Sequence, residues 1–138
     1  GTVWLVSPGG KIVEQRNTVG DYPTIDGCRL LAPSVGTLIA LDTENDTRWQ
    51  SLLELLAALE AADKLGEVDA IHIGNAAYLT MDYMGRFSVE LNYDADFAYK
   101  LRTLDAILAS GKIQENMTGT FNMRGEDGKT NFIQNSVK

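Results

Sequence analysis

The sequence predicts an α+β fold: a twisted, mainly antiparallel sheet built from hairpins, with two amphipathic helices packed on one of its faces. Three observations carry this expectation. Strand-like runs come in pairs around turn residues at three places, two longer segments repeat leucine at helical spacing, and in the middle hairpin apolar residues alternate strictly with polar ones. At 138 residues, 44% hydrophobic and 22% charged, the chain is the size and composition of one ordinary globular domain. No linker or low-complexity stretch divides it, so residues 1–138 read as a single unit.

The first pair is Trp4-Leu5-Val6 and Lys11-Ile12-Val13, joined by the turn Ser7-Pro8-Gly9-Gly10. From Asn17 to Pro33 turn formers dominate, and Asp21-Tyr22-Pro23-Thr24-Ile25-Asp26-Gly27 reads as an ordered loop. Gly36 to Leu41 reads as a short strand or as the approach to a helix. That helix is marked by Trp49, Leu52, Leu53, Leu56 and Leu59, with Asp46 or Thr47 as its N-cap and Gly66 as its C-cap. Val68, Ala70, Ile71 and Ile73 predict a strand, and a hairpin turning at Met84-Gly85 follows. Its arms place Leu79, Met81 and Tyr83, then Phe87, Val89 and Leu91, on one face. Asp94 and Asp96 precede a second helix with Phe97, Leu101, Leu104 and Leu108 in a stripe and Gly111 at its end. Gly119 to Arg124 and Thr130 to Gln134, around Glu126-Asp127-Gly128, form the last hairpin. Strands, helix and strand thus occur twice in the same order, without a residue-level repeat.

The inventory of reactive groups is thin. Twelve Lys and Arg stand against 19 Asp and Glu, a net charge of −7, which opposes non-specific binding to nucleic acid or to an anionic membrane. Cys28 is the only cysteine, which precludes an intrachain disulfide and a cysteine-rich zinc site. His72 is the only histidine and alternates with Ile71 and Ile73; with no signature around it, it reads as a strand histidine rather than a general base. Ser7 to Lys11 lacks the spacing of a phosphate-binding loop. Asn92, Asp94 and Asp96 lack the glycine and distal glutamate of a calcium loop and read as helix caps. Asp82 and Glu90 read as outer-face carboxylates rather than an acid/base pair, and basic residues do not interleave with aromatics as a single-strand nucleic-acid binder requires. The feature left over is the final strand, whose apolar residues at a sheet edge would offer unpaired amides and carbonyls to another chain.

Taken in order, Trp4 with its Gly9-Gly10 turn, the loop Tyr22-Pro23-Thr24-Ile25-Asp26-Gly27, the leucine-rich helix, Met84-Gly85-Arg86-Phe87-Ser88-Val89-Glu90-Leu91, the Phe97 to Leu108 helix and Gly119-Thr120-Phe121-Asn122-Met123-Arg124 resemble the extracytoplasmic β domain of the FtsQ/DivIB cell-division proteins. The resemblance runs from about Trp4 to Asn135 and rests on the order of the motifs, each of which is common alone. It implies a non-enzymatic scaffold without cofactor or metal, which binds FtsB/DivIC-like and FtsL-like partners and helps regulate septal peptidoglycan synthesis. It also implies a domain excised from a single-pass membrane protein and located at the extracytoplasmic face of the bacterial plasma membrane at the septum. In that family the partner adds a strand near the C-terminal strands, which here correspond to Phe121, Met123, Asn131, Phe132, Ile133 and Gln134. Phe132 and Ile133 are the expected contacts, so Phe132→Asp or Ile133→Pro should abolish binding and spare the fold. The short polar tail, Asn135 to Lys138, departs from the longer Gram-negative pattern. Two other readings remain open: an envelope accessory or small-ligand binder with a pocket between helices and sheet, and a hydrolase using His72 with Cys28 or Asp82.

Overall fold

The computed structural model describes residues 3–7, 9–16, 23–26, 33–38, 46–125 and 130–135. Along them run β1 (Val3–Val6), β2 (Ile12–Arg16), β3 (Thr24–Asp26), α1 (Asp46–Ala61), β4 (Val68–His72), β5 (Leu79–Tyr83), β6 (Phe87–Leu91), α2 (Phe97–Ala109), β7 (Gly119–Asn122) and β8 (Asn131–Gln134). Strands β1 and β2 pair with each other, and the other six form one sheet in the order β3-β4-β5-β6-β7-β8. The fold is α+β, as the residue pattern predicts. The sheet, however, is mixed rather than mainly antiparallel, because β3–β4 and β6–β7 are parallel. Each parallel pair is joined through a helix, which returns the chain to the same end of the sheet before the next strand begins. The order β-α-β-β therefore occurs twice, as β3-α1-β4-β5 and as β6-α2-β7-β8.

Alternation decides which face is covered. Leu79, Met81, Tyr83, Phe87, Val89 and Leu91 all project to one side and are buried, as their spacing requires. Against them pack Leu52, Leu55 and Leu59 of α1 and Phe97, Leu101 and Leu104 of α2. Burial also acts on Tyr83, whose phenol it pushes up to about 12, with the Asp105 and Glu67 carboxylates adding to the effect. Side chains tie the first helix to the sheet: Arg48 donates to the carbonyl of Ile73 at 3.0 Å and the Ser51 hydroxyl to that of Tyr93 at 2.5 Å.

The ends of the elements show which local signals acted. In the central hairpin Met84 and Gly85 both have positive φ, 58° and 65°, the conformation a tight turn between twisted strands needs. Asp96 caps α2 by accepting the Tyr99 amide at 3.1 Å, and Gly111 leaves that helix at φ 81°. The first helix does not end at Gly66 as expected. Asp63 takes the left-handed position at φ 57° while Lys64 N–H bonds to the Leu59 carbonyl and Asp63 N–H to that of Glu60. This paired closure belongs to a helix C-terminus in which aspartate stands in for glycine, and Gly66 falls in the following 3-10 turn, Leu65–Glu67. The side chains of Asp46 and Thr47, the expected N-caps, lie outside the described part of the structure.

Two further expectations change. Part of the predicted loop, Thr24–Asp26, is a strand parallel to β4; residues 17–22 and 27–32 lie outside the described residues. From the Gly36 to Leu41 segment, Leu38 makes an isolated bridge to Lys11, and residues 39–41 lie outside the description, as do 126–129 of the last turn. The β1–β2 turn packs onto α1: a Cβ at Gly10, whose φ is 90°, would stand 3.0 Å from the Trp49 and Leu53 side chains.

Gly119 is the tightest position in the sheet. A Cβ there would run into the carbonyl oxygen of Ile133 and stand 2.8 Å from the Phe132 ring. A strand carbonyl cannot swing aside, so Gly119→Ala is expected to destabilise the domain by about 2 kcal/mol. Urea unfolding checks this, and an unchanged midpoint would show that β8 is not held against β7 in this register.

Candidate functional site

β8 is the outer strand on one side of the sheet. It pairs antiparallel with β7 in the register Gly119↔Gln134, Thr120↔Ile133, Phe121↔Phe132 and Asn122↔Asn131. The direction of each amide follows from alternation. Asn135 N–H bonds to the Thr118 carbonyl at 2.9 Å, so Ile133 and Asn131, two and four residues back, also face β7. On the other strand Gly119 and Met123 send their amides to β6, which leaves Thr120 and Asn122 directed at β8. The backbone groups of Phe132 and Gln134 consequently point out of the sheet, and among the described residues no strand lies beyond them.

The side chains divide the predicted contacts into two sets. Phe121 and Met123 are buried in the core, so they act on the edge only by holding β7 in place. Phe132 is half-buried beside them. Its ring centroid lies 4.7 Å from that of Phe121 and 6.1 Å from that of Phe87, which is itself 5.1 Å from Phe121. Ile133 points to the opposite, open face and is 63% exposed, and Asn131 and Gln134 are exposed as well. The expectation that Phe132→Asp and Ile133→Pro spare the fold is therefore corrected. The first would place a carboxylate among packed rings, and the second would remove an amide that already serves the β7 ladder.

The stem of the last hairpin is anchored from β6 and α2. Glu90 pairs with Arg124 at 3.3 Å, and the Asn92 side-chain amide donates to the Arg124 carbonyl. The ammonium of Lys100 reaches the Gly125 carbonyl at 2.6 Å from a side chain only 7% exposed. Arg124 also lies over the Tyr78 ring at 4.4 Å. Sequence reading passed over Lys100 because a lysine in an amphipathic helix reads as a solvated position; its place one residue before Leu101, on the edge of the apolar stripe, was the available sign.

On the open face the structure gathers a group that the sequence left scattered. His72 Nδ1 lies 2.8 and 2.9 Å from the carboxylate oxygens of Asp26, and its Nε2 lies 2.8 Å from Oδ2 of Asp82. The hydrogen bond to Asp82, then that to Asp26, raises the pKa of His72 above 6.5, against a smaller opposing effect of burial. With a carboxylate on each nitrogen, the ring is arranged to hold protons rather than to accept one from a substrate. His72 and Asp82 are thus brought together, but Cys28 lies outside the described residues. Asp82 and Glu90 do not pair with each other, since the first meets His72 and the second Arg124. Asp26 escaped notice because its strand is three residues long and set among turn formers.

In place of the expected pocket between helices and sheet, a cleft of about 530 Å3, open to solvent, lies between α1 and the loops after β4 and β6, lined by Gln50, Ser51, Glu54, Asn92, Tyr93 and Asp94 among others. It is an open cleft rather than an enclosed apolar cavity. Among the described residues no cluster of three or more His, Cys, Asp and Glu side chains is placed to hold a metal ion, and no helix is long and apolar enough to cross a membrane. No protein-family model matches the chain, and neither a curated protein nor a solved structure is significantly similar to it.

The two faces of β8 predict opposite mutational outcomes. Phe132→Ala is expected to cost about 2 kcal/mol through lost ring contacts, and Ile133→Ser less than about 0.5 kcal/mol. Equal costs by chemical unfolding would contradict the register of the strand.

Proposed function

We propose that this chain is a non-enzymatic interaction domain that takes up a strand from another polypeptide along the outer edge of β8. The observation that carries the reading is the pair of outward-directed backbone positions, Phe132 and Gln134, on a strand whose other amides are committed to β7. Strand addition draws its affinity from such groups and its specificity from the flanking side chains. The exposed Ile133 on one face and the half-buried Phe132 on the other supply apolar flanks. No reactive or charged signature is needed for this mode of binding, which agrees with the sparse inventory of the sequence.

The finer proposal rests on the ordered motifs that resemble FtsQ/DivIB. The domain then serves as a division scaffold outside the bacterial plasma membrane, borne by a membrane-anchored parent. There it joins FtsB/DivIC-like and FtsL-like proteins and helps regulate septal peptidoglycan synthesis. The sheet with both helices on one face and the C-terminal strand at its edge suits that role.

Gln134→Pro separates binding from folding, since it deletes an outward amide and leaves the β7 ladder whole. With the soluble part of the DivIC-like protein of the same source, we expect binding to weaken at least about tenfold while the melting temperature stays within about 2 °C. Unchanged affinity by calorimetry would eliminate β8 as the site. Failure of the wild-type domain to bind would count against the division-scaffold assignment.

A further inference from the structure

The other edge of the sheet is β3, three residues long and, among the described residues, paired only with β4. Little backbone holds it. The register sets Asp26 beside His72, and the Ile73 amide donates to the Asp26 carbonyl at 3.0 Å. On the open face His72 lies between Asp26 of β3 and Asp82 of β5, with a ring nitrogen 2.8 Å from each carboxylate. An imidazole can donate through both nitrogens only when both carry hydrogen. Once one proton leaves, a lone pair faces a carboxylate, and one of the two hydrogen bonds becomes a repulsion.

We propose that Asp26, His72 and Asp82 form a proton-operated latch, which holds β3 on the sheet while the imidazole carries two protons and loosens it when one departs. Among the described residues the other charged groups nearby are otherwise engaged. Asp69, on β4 itself, accepts the Gly85 amide at 2.6 Å, and Glu90 on β6, beyond Thr80 in the same row, is paired with Arg124. The change of charge at His72 therefore falls on Asp26 and Asp82. Both partners raise the affinity of His72 for its proton in the folded chain. Their stabilisation is accordingly complete below pH 6.5 and is lost as pH rises through the higher folded value. The latch is independent of β8, which lies four strands away.

His72 is the only histidine, so its ring resonances report the titration unambiguously. Hydrogen exchange of the Ile73 amide, corrected for intrinsic rates, reports the attachment of β3. On crossing the His72 midpoint from low to high pH we expect the Ile73 protection factor to fall about three- to tenfold, the size of a partly exposed charge-assisted hydrogen bond. Met81 and Val89, in the centre of the sheet, should not follow. Asp26→Asn should flatten the dependence. A His72 midpoint at or below 6.5, a flat Ile73 profile in the wild-type chain, or a profile unchanged by Asp26→Asn would each overturn the latch.

Discussion

Three phenylalanine rings on three neighbouring strands decide what the last third of this chain can do. Phe87 and Phe121 lie within the core, and Phe132, on the outermost strand, leans against both. A four-residue strand held by its ladder alone would fray, because each backbone hydrogen bond exchanged with water contributes little net stability. Ring contacts add the apolar burial and edge-to-face attraction that fix the strand in one register. Gly119 makes the approach possible by leaving the space into which Phe132 and the Ile133 carbonyl fit. The edge is in this way both attached and open, since the face and the backbone row that secure it are not the ones it displays.

The same division of labour extends over the sheet. Its inner face is continuous with the two helices, and its outer face carries half-exposed polar residues such as Thr80, Asp82, Ser88, Glu90, Thr120 and Asn122. Ion pairs on that outer face have little influence on total stability, being largely solvated. Their influence is positional. Glu90 with Arg124 steadies the stem of the last hairpin, and His72 with its two carboxylates spans β3, β4 and β5.

What was legible in the sequence follows from the range of the interactions involved. Period-two alternation in β5 and β6 and the leucine stripes of both helices are local patterns, and they gave these elements and their buried faces. Asp96 and Gly111 likewise act within one turn of α2. The parallel pairings were not legible, because β3 meets β4 only after the whole of α1 has intervened, and a three-residue strand carries too little pattern to announce itself. Asp63 misled in another way: a left-handed aspartate ended α1 before the glycine that composition favoured. At the candidate site the strand was visible and its facing was not. Which amides of β8 point outward depends on the pairing with β7, and this separates two residues expected to act alike: Phe132 turns its backbone outward and its ring inward, and Ile133 does the reverse. The meeting of Asp26, His72 and Asp82 required tertiary structure altogether, since 46 residues separate Asp26 from His72.

Within the large sheet, spatial order follows chain order from β3 to β8 without a transposition. Every new strand can dock on the one made just before it, directly in the hairpins and after one intervening helix in the two parallel pairs, so no strand of this sheet has to wait for one made later. For a polypeptide emerging from the ribosome this is a course of construction, in which β8 is the last piece laid. The surface we assign to partners therefore comes into being only on a completed sheet. A chain stalled or misfolded earlier would lack the docking strand altogether, so assembly with other proteins along this edge would be confined to molecules whose sheet is complete.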